Sequence, residues 1–528
     1  MHTNRAVMDI SNEAFLRMKL LVAVFLTAPK IVKISALALL LTCLYCGVRK
    51  FVNHIIYTRA RKAMGCLPMK RYSHLDPLFG LDYIYAMLSA LKQNRFLEYQ
   101  KELYRSQHAK TFEAKFLGLR MIFSSESENM KAMSTSQQKN FGVAPIRSEN
   151  GALQPFGGDG VSSTDGHIWQ FSRDLIKPYF SRSDYSNLRR LDVHVDRLLE
   201  KIPRDGSTFD IQPLFQRWFF DTSTNFLFGE SVNSLEYPER ASVINDMITV
   251  MEGLRIRLQM TKFVFLHRDE KWFAAVKRVH VFLDRYIDQV FEDLRKFKKG
   301  GSIDEQRSDF LWTIAPHVPE KEALRSQLLG VFFPSNETTS ILISNVIFAL
   351  GRHPRVMEKL RAEIMSYGDA KLTWEQLRSM TYLRYVINET HRVYPISVQS
   401  IRACLKDCTL PVGGGPDGSS PIFVQKGDVV HCNRYLMHRD TDNWGKDAED
   451  FIPERWEDAR PMWKFVPFGG GPRICPAHTM VDTECSYVIA RILQTFKAIE
   501  SRDDSPYIAV MRAGPSNKNG VQVGLVPA

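Results

Sequence analysis

Ten residues near the C-terminus, Phe468-Gly469-Gly470-Gly471-Pro472-Arg473-Ile474-Cys475-Pro476-Ala477, constrain this chain more than any other stretch. Three consecutive glycines let backbone approach a flat surface closely and leave amides exposed. A lone cysteine follows, with an arginine two residues before it. A thiolate that ligates haem iron needs these features together: close backbone approach, amides near the sulfur and a nearby cation. Arg473 can pair with a haem propionate, while sulfur from Cys475 donates electron density to iron and favours cleavage of an O–O bond. The competing reading is a Gly-Pro turn followed by an ordinary buried cysteine.

The rest of the 528-residue chain allows a large catalytic body, since 44% of it is hydrophobic and a disordered chain could not be. Its eight cysteines are scattered (Cys43, Cys46, Cys66, Cys404, Cys408, Cys432, Cys475, Cys485) without metal-ligand spacing. Neither a disulfide framework nor a zinc site is expected, and a reducing, cytosol-facing compartment fits. A net charge of +12 suits an anionic membrane surface or an acidic protein partner. Nucleic acid is not expected, because no basic stripe is interleaved with aromatics.

Apolar runs occupy 20–27 and 31–48, the second broken only by Lys33 and just long enough to span a bilayer. Arg49, Lys50, Arg59, Arg61 and Lys62 follow, a basic flank suited to a cytosolic membrane face. Residues 1–62 are therefore expected to form a membrane anchor with its flank, and 63–528 a single catalytic domain. Apolar residues recur at three and four over 191–202, 276–297, 324–350 and 356–364, which predicts helices, the third of them long. Strand patterns are short, as at 421–424 and 429–432. The run Gly413-Gly414-Gly415-Pro416-Asp417-Gly418 matches a dinucleotide-binding pattern, but Pro416, Gly418 and Pro421 would break any following helix. A turn between two short strands is expected there.

Other constellations bear on the cysteine loop. Trp169 and Arg173 are four apart, so an indole N–H and a guanidinium share one helical face and both can reach a propionate. Glu389 and Arg392 are three apart before Pro395 ends their helix, and can form an ion pair. Two glycosylation triplets, starting at Asn336 and Asn388, fall inside core motifs and are read as chance matches.

These runs, in this order, resemble the cytochrome P-450 superfamily over nearly all of the chain after the anchor. The resemblance implies a mainly α fold with a small β-rich lobe and haem b between two helices. It implies that Cys475 ligates the iron, with Trp169, Arg173, Arg402 and Arg473 toward the propionates. Pro453-Glu454-Arg455-Trp456 resembles the superfamily's second arginine element, so Glu389, Arg392 and Arg455 would form a buried, structural charge triad. Pro334-Ser335-Asn336-Glu337-Thr338-Thr339 aligns with the oxygen-activating element, in which Thr338 and Glu337 would relay protons toward dioxygen, the carboxyl leading to solvent. Without that alignment, Thr338 reads as a helix threonine bonded to its own backbone.

The chain departs from the superfamily in three places. Ala477 replaces a usual glycine, and Pro334 and Ser335 stand where a small residue and glycine are usual. Pro334 donates no N–H and its ring presses on the Gly330 carbonyl, so a kink beside the haem is expected. Thr409 to Gly418 and His438-Arg439 with Trp444 to Ala448 look like the fungal alkane and fatty-acid hydroxylase branch.

What the resemblance implies for function is monooxygenation of a small apolar substrate at an endoplasmic reticulum membrane. Electrons would come from a membrane-bound NADPH-cytochrome P-450 reductase, docked on basic residues around the thiolate face. The Pro334-Ser335 pair points to a tailoring enzyme acting on a terpenoid, polyketide or fatty-acyl metabolite. The alternatives are fatty-acid ω-hydroxylation, a reductase-independent isomerase or dehydratase, and a non-catalytic haem protein. Phe263, Val264, Phe265, Val331, Phe332 and Phe333 are read as either pocket or core.

Overall fold

The computed structural model describes residues 29–299, 308–335, 337–512 and 514–528. The apolar run 20–27 and Asn336 lie outside the described residues. The chain separates into two compact units, Met1–Cys66 and Leu67–Ala528.

In the first unit a helix runs over Lys30–Ala63 and ends on Arg61 and Lys62. Its stretch Leu37–Ala63 is long and apolar enough to cross a membrane by length and composition. Leu37, Leu39, Leu40, Leu41 and Leu44 are all exposed, so the helix buries none of them against protein.

The second unit is mostly helical, with small sheets. Its largest sheet has six short strands, in the order Lys70–Arg71, Thr111–Phe116, Leu119–Ser124, Val429–Asn433, Gln399–Cys404, Phe141–Gly142. Cys408–Gly414 and Ser420–Val424 pair antiparallel as a hairpin, so the glycine run around 413–418 is the expected turn. The helix Glu270–Lys298 buries Trp272, Ala275, Val276, Val279, Leu283, Ile287 and Val290, the three-and-four spacing of one helical face. That stripe packs with Met251, Leu254, Leu328 and Phe332 from neighbouring helices. At roughly 1.5–3 kcal/mol per large apolar side chain, such stripes rather than helix propensity hold these helices in place.

The single helix expected over 324–350 is two helices, Lys321–Ser335 and Thr338–Arg352. Glu337 between them has φ −130° and ψ −25°, outside helical geometry. Pro334 has no N–H for the Gly330 carbonyl, so the ladder fails just before this point. Hydroxyls serve the carbonyls there instead: Ser335 Oγ donates to Phe332 at 3.0 Å and Thr338 Oγ1 to Pro334 at 3.1 Å. The expected kink is thus a full break. Beyond it every residue from 339 to 350 is buried, which makes the second helix the axis of the main core.

Candidate functional site

The loop around Cys475 is a 3₁₀ turn, Gly471–Arg473, leading into the helix His478–Thr495. Gly471 has φ +67°, and a Cβ there would lie 1.9 Å from the Ser134 carbonyl oxygen. A Cβ on Gly470 would lie 2.4 Å from the Trp463 ring. Both positions admit only glycine, which brings the backbone flat against its surroundings. The Cys475 N–H donates to the Phe468 carbonyl at 3.1 Å and closes the loop. Ala477, the departure from glycine, has φ −88° at the helix start, a conformation open to any residue.

Cys475 lines a cavity of ≈ 1620 Å³. Burial pushes the free thiol up, opposed by a hydrogen bond from the Ala477 N–H and by the Arg173 and Arg434 guanidinium groups. Arg147, Arg173, Arg402, Arg434 and Arg473 line the same cavity, as does Trp169. The Gly166–Ile176 helix supplies Trp169 and Arg173, and Arg402 comes from the strand Gln399–Cys404. Arg473 lies with its guanidinium carbon 4.4 Å from the Trp169 ring centroid and donates to Asp165 Oδ1 at 2.5 Å.

Burial holds Arg147 down at about 10, with Arg402 and Arg473 adding repulsion. Arg434 and Arg473 are likewise lowered to about 10, mainly by burial and in part by Arg402. Arg402 is lowered by burial and eased by Asp165. The cluster thus gathers more positive charge than Asp165 offsets, and Nε of Arg434 is buried without a partner among the described residues. Such a cluster is stabilised by an anion of more than one charge. No three His, Cys, Asp or Glu side chains gather as metal ligands among the described residues. A metal at Cys475 must therefore bring its other ligands, as porphyrin iron does, and the two propionates of haem match the arginines.

On another wall lie Pro334, Ser335, Thr338 and Thr339, so the helix break opens onto the cavity that Cys475 lines. Glu337 does not line it. Its carboxyl is buried, with Oε1 3.6 Å from Arg512 Nη1. The carboxyl expected to lead to solvent is thus buried beside Arg512, itself partly exposed. Apolar lining comes from Leu153, Phe156, Leu254, Leu329, Val331 and Phe333. Of the six apolar residues read as pocket or core, Val331 and Phe333 line the cavity and Phe332 is core. Phe263 and Phe265 are exposed on the turn Thr261–Leu266, and Val264 is outside the cavity lining.

Glu389, Arg392 and Arg455 meet away from the cavity. Arg392 donates to both carboxylate oxygens of Glu389, at 2.8 and 2.9 Å, and Arg455 Nε donates to Oε1 at 2.9 Å. Trp456 Nε1 and the Ile452 N–H complete the shell at 3.0 and 2.8 Å. Arg392 also donates to the carbonyls of His438, Ala448 and Asp450, tying the chain ahead of the cysteine loop to the helix Thr381–Val393.

Three contributors escaped the sequence reading. Arg147 sits on the short helix Ala144–Arg147, whose first amides bond Asp165 Oδ2 at 2.8 Å. Arg434 donates to the Pro467 carbonyl at 2.9 Å and the Gln399 carbonyl at 3.0 Å, joining strand to cysteine loop. Asp165 stands immediately before the Gly166–Ile176 helix that carries Trp169 and Arg173, and that position was its one signal in the sequence.

The family model for cytochrome P450 matches residues 79–514. Cytochrome P450 monooxygenase apdE of Emericella nidulans is 50% identical over 476 residues, 90% of this chain and 92% of its own length. Cytochrome P450 monooxygenase iccC of Talaromyces variabilis is 47% identical, over 89% of this chain and 94% of its own. Cytochrome P450 52A13 of Debaryomyces hansenii is more distant, at 35% over 87% and 91%. With a glycine-cradled cysteine beside an arginine cluster, and relatives matched over most of their length, the chain belongs to the cytochrome P450 family of monooxygenases.

Proposed function

We propose that the enzyme hydroxylates an apolar metabolite, terpenoid, polyketide or fatty-acyl in character, within fungal secondary metabolism. Electrons come from an NADPH reductase at the endoplasmic reticulum membrane, where the Lys30–Ala63 helix anchors the chain with its catalytic unit facing the cytosol. The observation that carries this reading is a single cavity lined at once by Cys475, by the arginine cluster and by apolar side chains beside Thr338. Relatives named only as monooxygenases are more similar than the 52A13 enzyme, which favours a tailoring role over fatty-acid ω-hydroxylation.

In this reading haem supplies oxygen activation when bound, and the protein holds and serves it. Cys475 ligates iron, and Arg147, Arg402 and Arg473 take the propionates with Trp169 and Arg173 beside them. Arg434 fixes the loop ahead of Cys475 through the Pro467 carbonyl. Leu153, Phe156 and Leu254 exclude water from the substrate side, which strengthens polar interactions inside. The Thr338 hydroxyl donates a hydrogen bond to the Pro334 carbonyl, which holds its oxygen as an acceptor on the cavity wall, and it would enter a proton relay by exchanging that bond for one to the substrate side. Glu337, buried beside Arg512, is the acid behind it.

Thr338→Ala is expected to leave haem content unchanged while separating NADPH consumption from product, by roughly two orders of magnitude, the lower end for a lost proton-transfer group. The ratio of NADPH oxidised to product formed in reductase-supplemented microsomes checks this, and an unchanged ratio removes Thr338 from the relay. Product formed without NADPH would replace the reading with reductase-independent rearrangement, the alternative that the break at Glu337 favours. Deleting residues 1–58 is expected to move the protein from the membrane pellet to the supernatant with haem retained. Fractionation checks it, and retention in the pellet would mean further membrane contacts.

A further inference from the structure

The helix Ser242–Met260 presents Met251, Leu254, Arg255, Leu258 and Gln259 to the cavity. Their spacing is that of one helical face, so a guanidinium stands in the middle of a largely apolar stripe. Nε of Arg255 is buried without a hydrogen-bond partner among the described residues. Burial lowers its pKa, opposed by Glu252 on its own helix. Arg147, Arg402, Arg434 and Arg473 act on one another or on Cys475, and none acts on Arg255, which therefore stands outside the cluster assigned to the propionates. Of the other cations on the cavity wall, Arg120 pairs with Asp428, Arg473 with Asp165 and Arg512 with Glu337, while Lys115, Lys262 and Lys426 also line it. Three carboxylates also line it. Asp428 and Glu484 are held by Arg120 and Arg190, and Glu149 is not within ion-pair distance of Arg255.

A guanidinium nitrogen buried without a partner, on a side chain that is half-buried overall, is unfavourable, and an apolar residue at that place on the stripe would avoid the cost. A planar fork of N–H donors there matches a pair of acidic oxygens. We propose that Arg255 is a specificity residue that pairs with an acidic oxygen group on the substrate, a carboxylate or an ionised enol, while the apolar remainder lies against Leu153, Phe156 and Leu254. This rests on the reading of the cavity as the substrate site, and it narrows the substrate from apolar to amphipathic with one acidic end.

The test uses the full-length, haem-loaded protein and two matched probe pairs at neutral pH. Dodecanoate is compared with methyl dodecanoate, and dodecanoyl-dimedone, an acidic enol, with its methyl enol ether. Binding is read by equilibrium dialysis and by the shift of the haem absorbance. At least one ionised probe is expected to bind about tenfold tighter than its neutral partner, or ~1.4 kcal/mol. The pair that shows the preference identifies carboxylate or enol. Arg255→Gln should bring that pair within about twofold without weakening the neutral probe, and Arg255→Lys should restore part of the preference. Equal binding within both wild-type pairs, or a preference that survives Arg255→Gln, overturns the proposal, and the wild-type comparison needs no variant. If no probe of either kind binds or shifts the haem band, the cavity reading itself fails and the inference with it.

Discussion

Cys475→Ser is expected to abolish the long-wavelength band that a sulfur ligand gives the reduced carbonyl complex, and all NADPH-dependent product with it. The substitution alters one atom in a loop whose shape other residues hold. Gly471 and Gly470 have no room for a side chain, and the Cys475 N–H bonds Phe468 whatever the side chain is. A serine hydroxyl occupies the same place but is a far weaker electron donor to iron than a thiolate. The arginine cluster is untouched, so haem should still be taken up in part. The comparison is therefore between haem content, which should survive in part, and the thiolate band, which should not. Cys46→Ser, on the exposed face of the N-terminal helix, should change neither. A thiolate band retained by Cys475→Ser would move the metal to another ligand and undo the assignment of the site.

Where a feature is local, its residues announced it. The cysteine loop is legible because close backbone approach requires glycine, and the Glu270–Lys298 helix because its buried residues keep a three-and-four spacing. The hairpin at 413–418 was legible because proline and glycine exclude a helix there. What escaped depends on partners distant in sequence. Pro334 announced a kink, yet the complete break also requires Glu337 to leave helical geometry toward Arg512, which is 175 positions away and carries no motif. Arg147 and Arg434 are single arginines beside short elements, and only the folded sheet brings them to Arg402 and Cys475. Phe263 and Phe265 have pocket chemistry, but a 3₁₀ turn places them at the surface. Arg255 is the converse case: an arginine on an amphipathic helix reads as solvated until the cavity is seen on that side.

Glu389→Ala is expected to cost more stability than any change made at the surface. Glu389 and Arg392 are both fully buried, and every acceptor site of the carboxylate is used by Arg392, Arg455, Trp456 or Ile452. Removing the carboxylate leaves Arg392 charged and without its counter-ion in the interior, because its remaining partners are the carbonyls of His438, Ala448 and Asp450. Breaking one side of such a buried pair costs roughly 3–5 kcal/mol. Whole proteins have only about 5–15 kcal/mol in hand, so the variant should express with little haem and lose what it holds at a lowered temperature. Glu389→Gln keeps the shape and some acceptors but not the charge, and should fall between wild type and Glu389→Ala. Glu102→Ala is the control, because its pair with Arg95 at 3.1 Å is exposed on both sides. That pair is worth no more than about 1 kcal/mol. The thermal midpoint of haem release, compared across the four proteins, checks the order. If Glu389→Ala and Glu102→Ala shift it equally, the buried cluster does not brace the unit that carries Cys475.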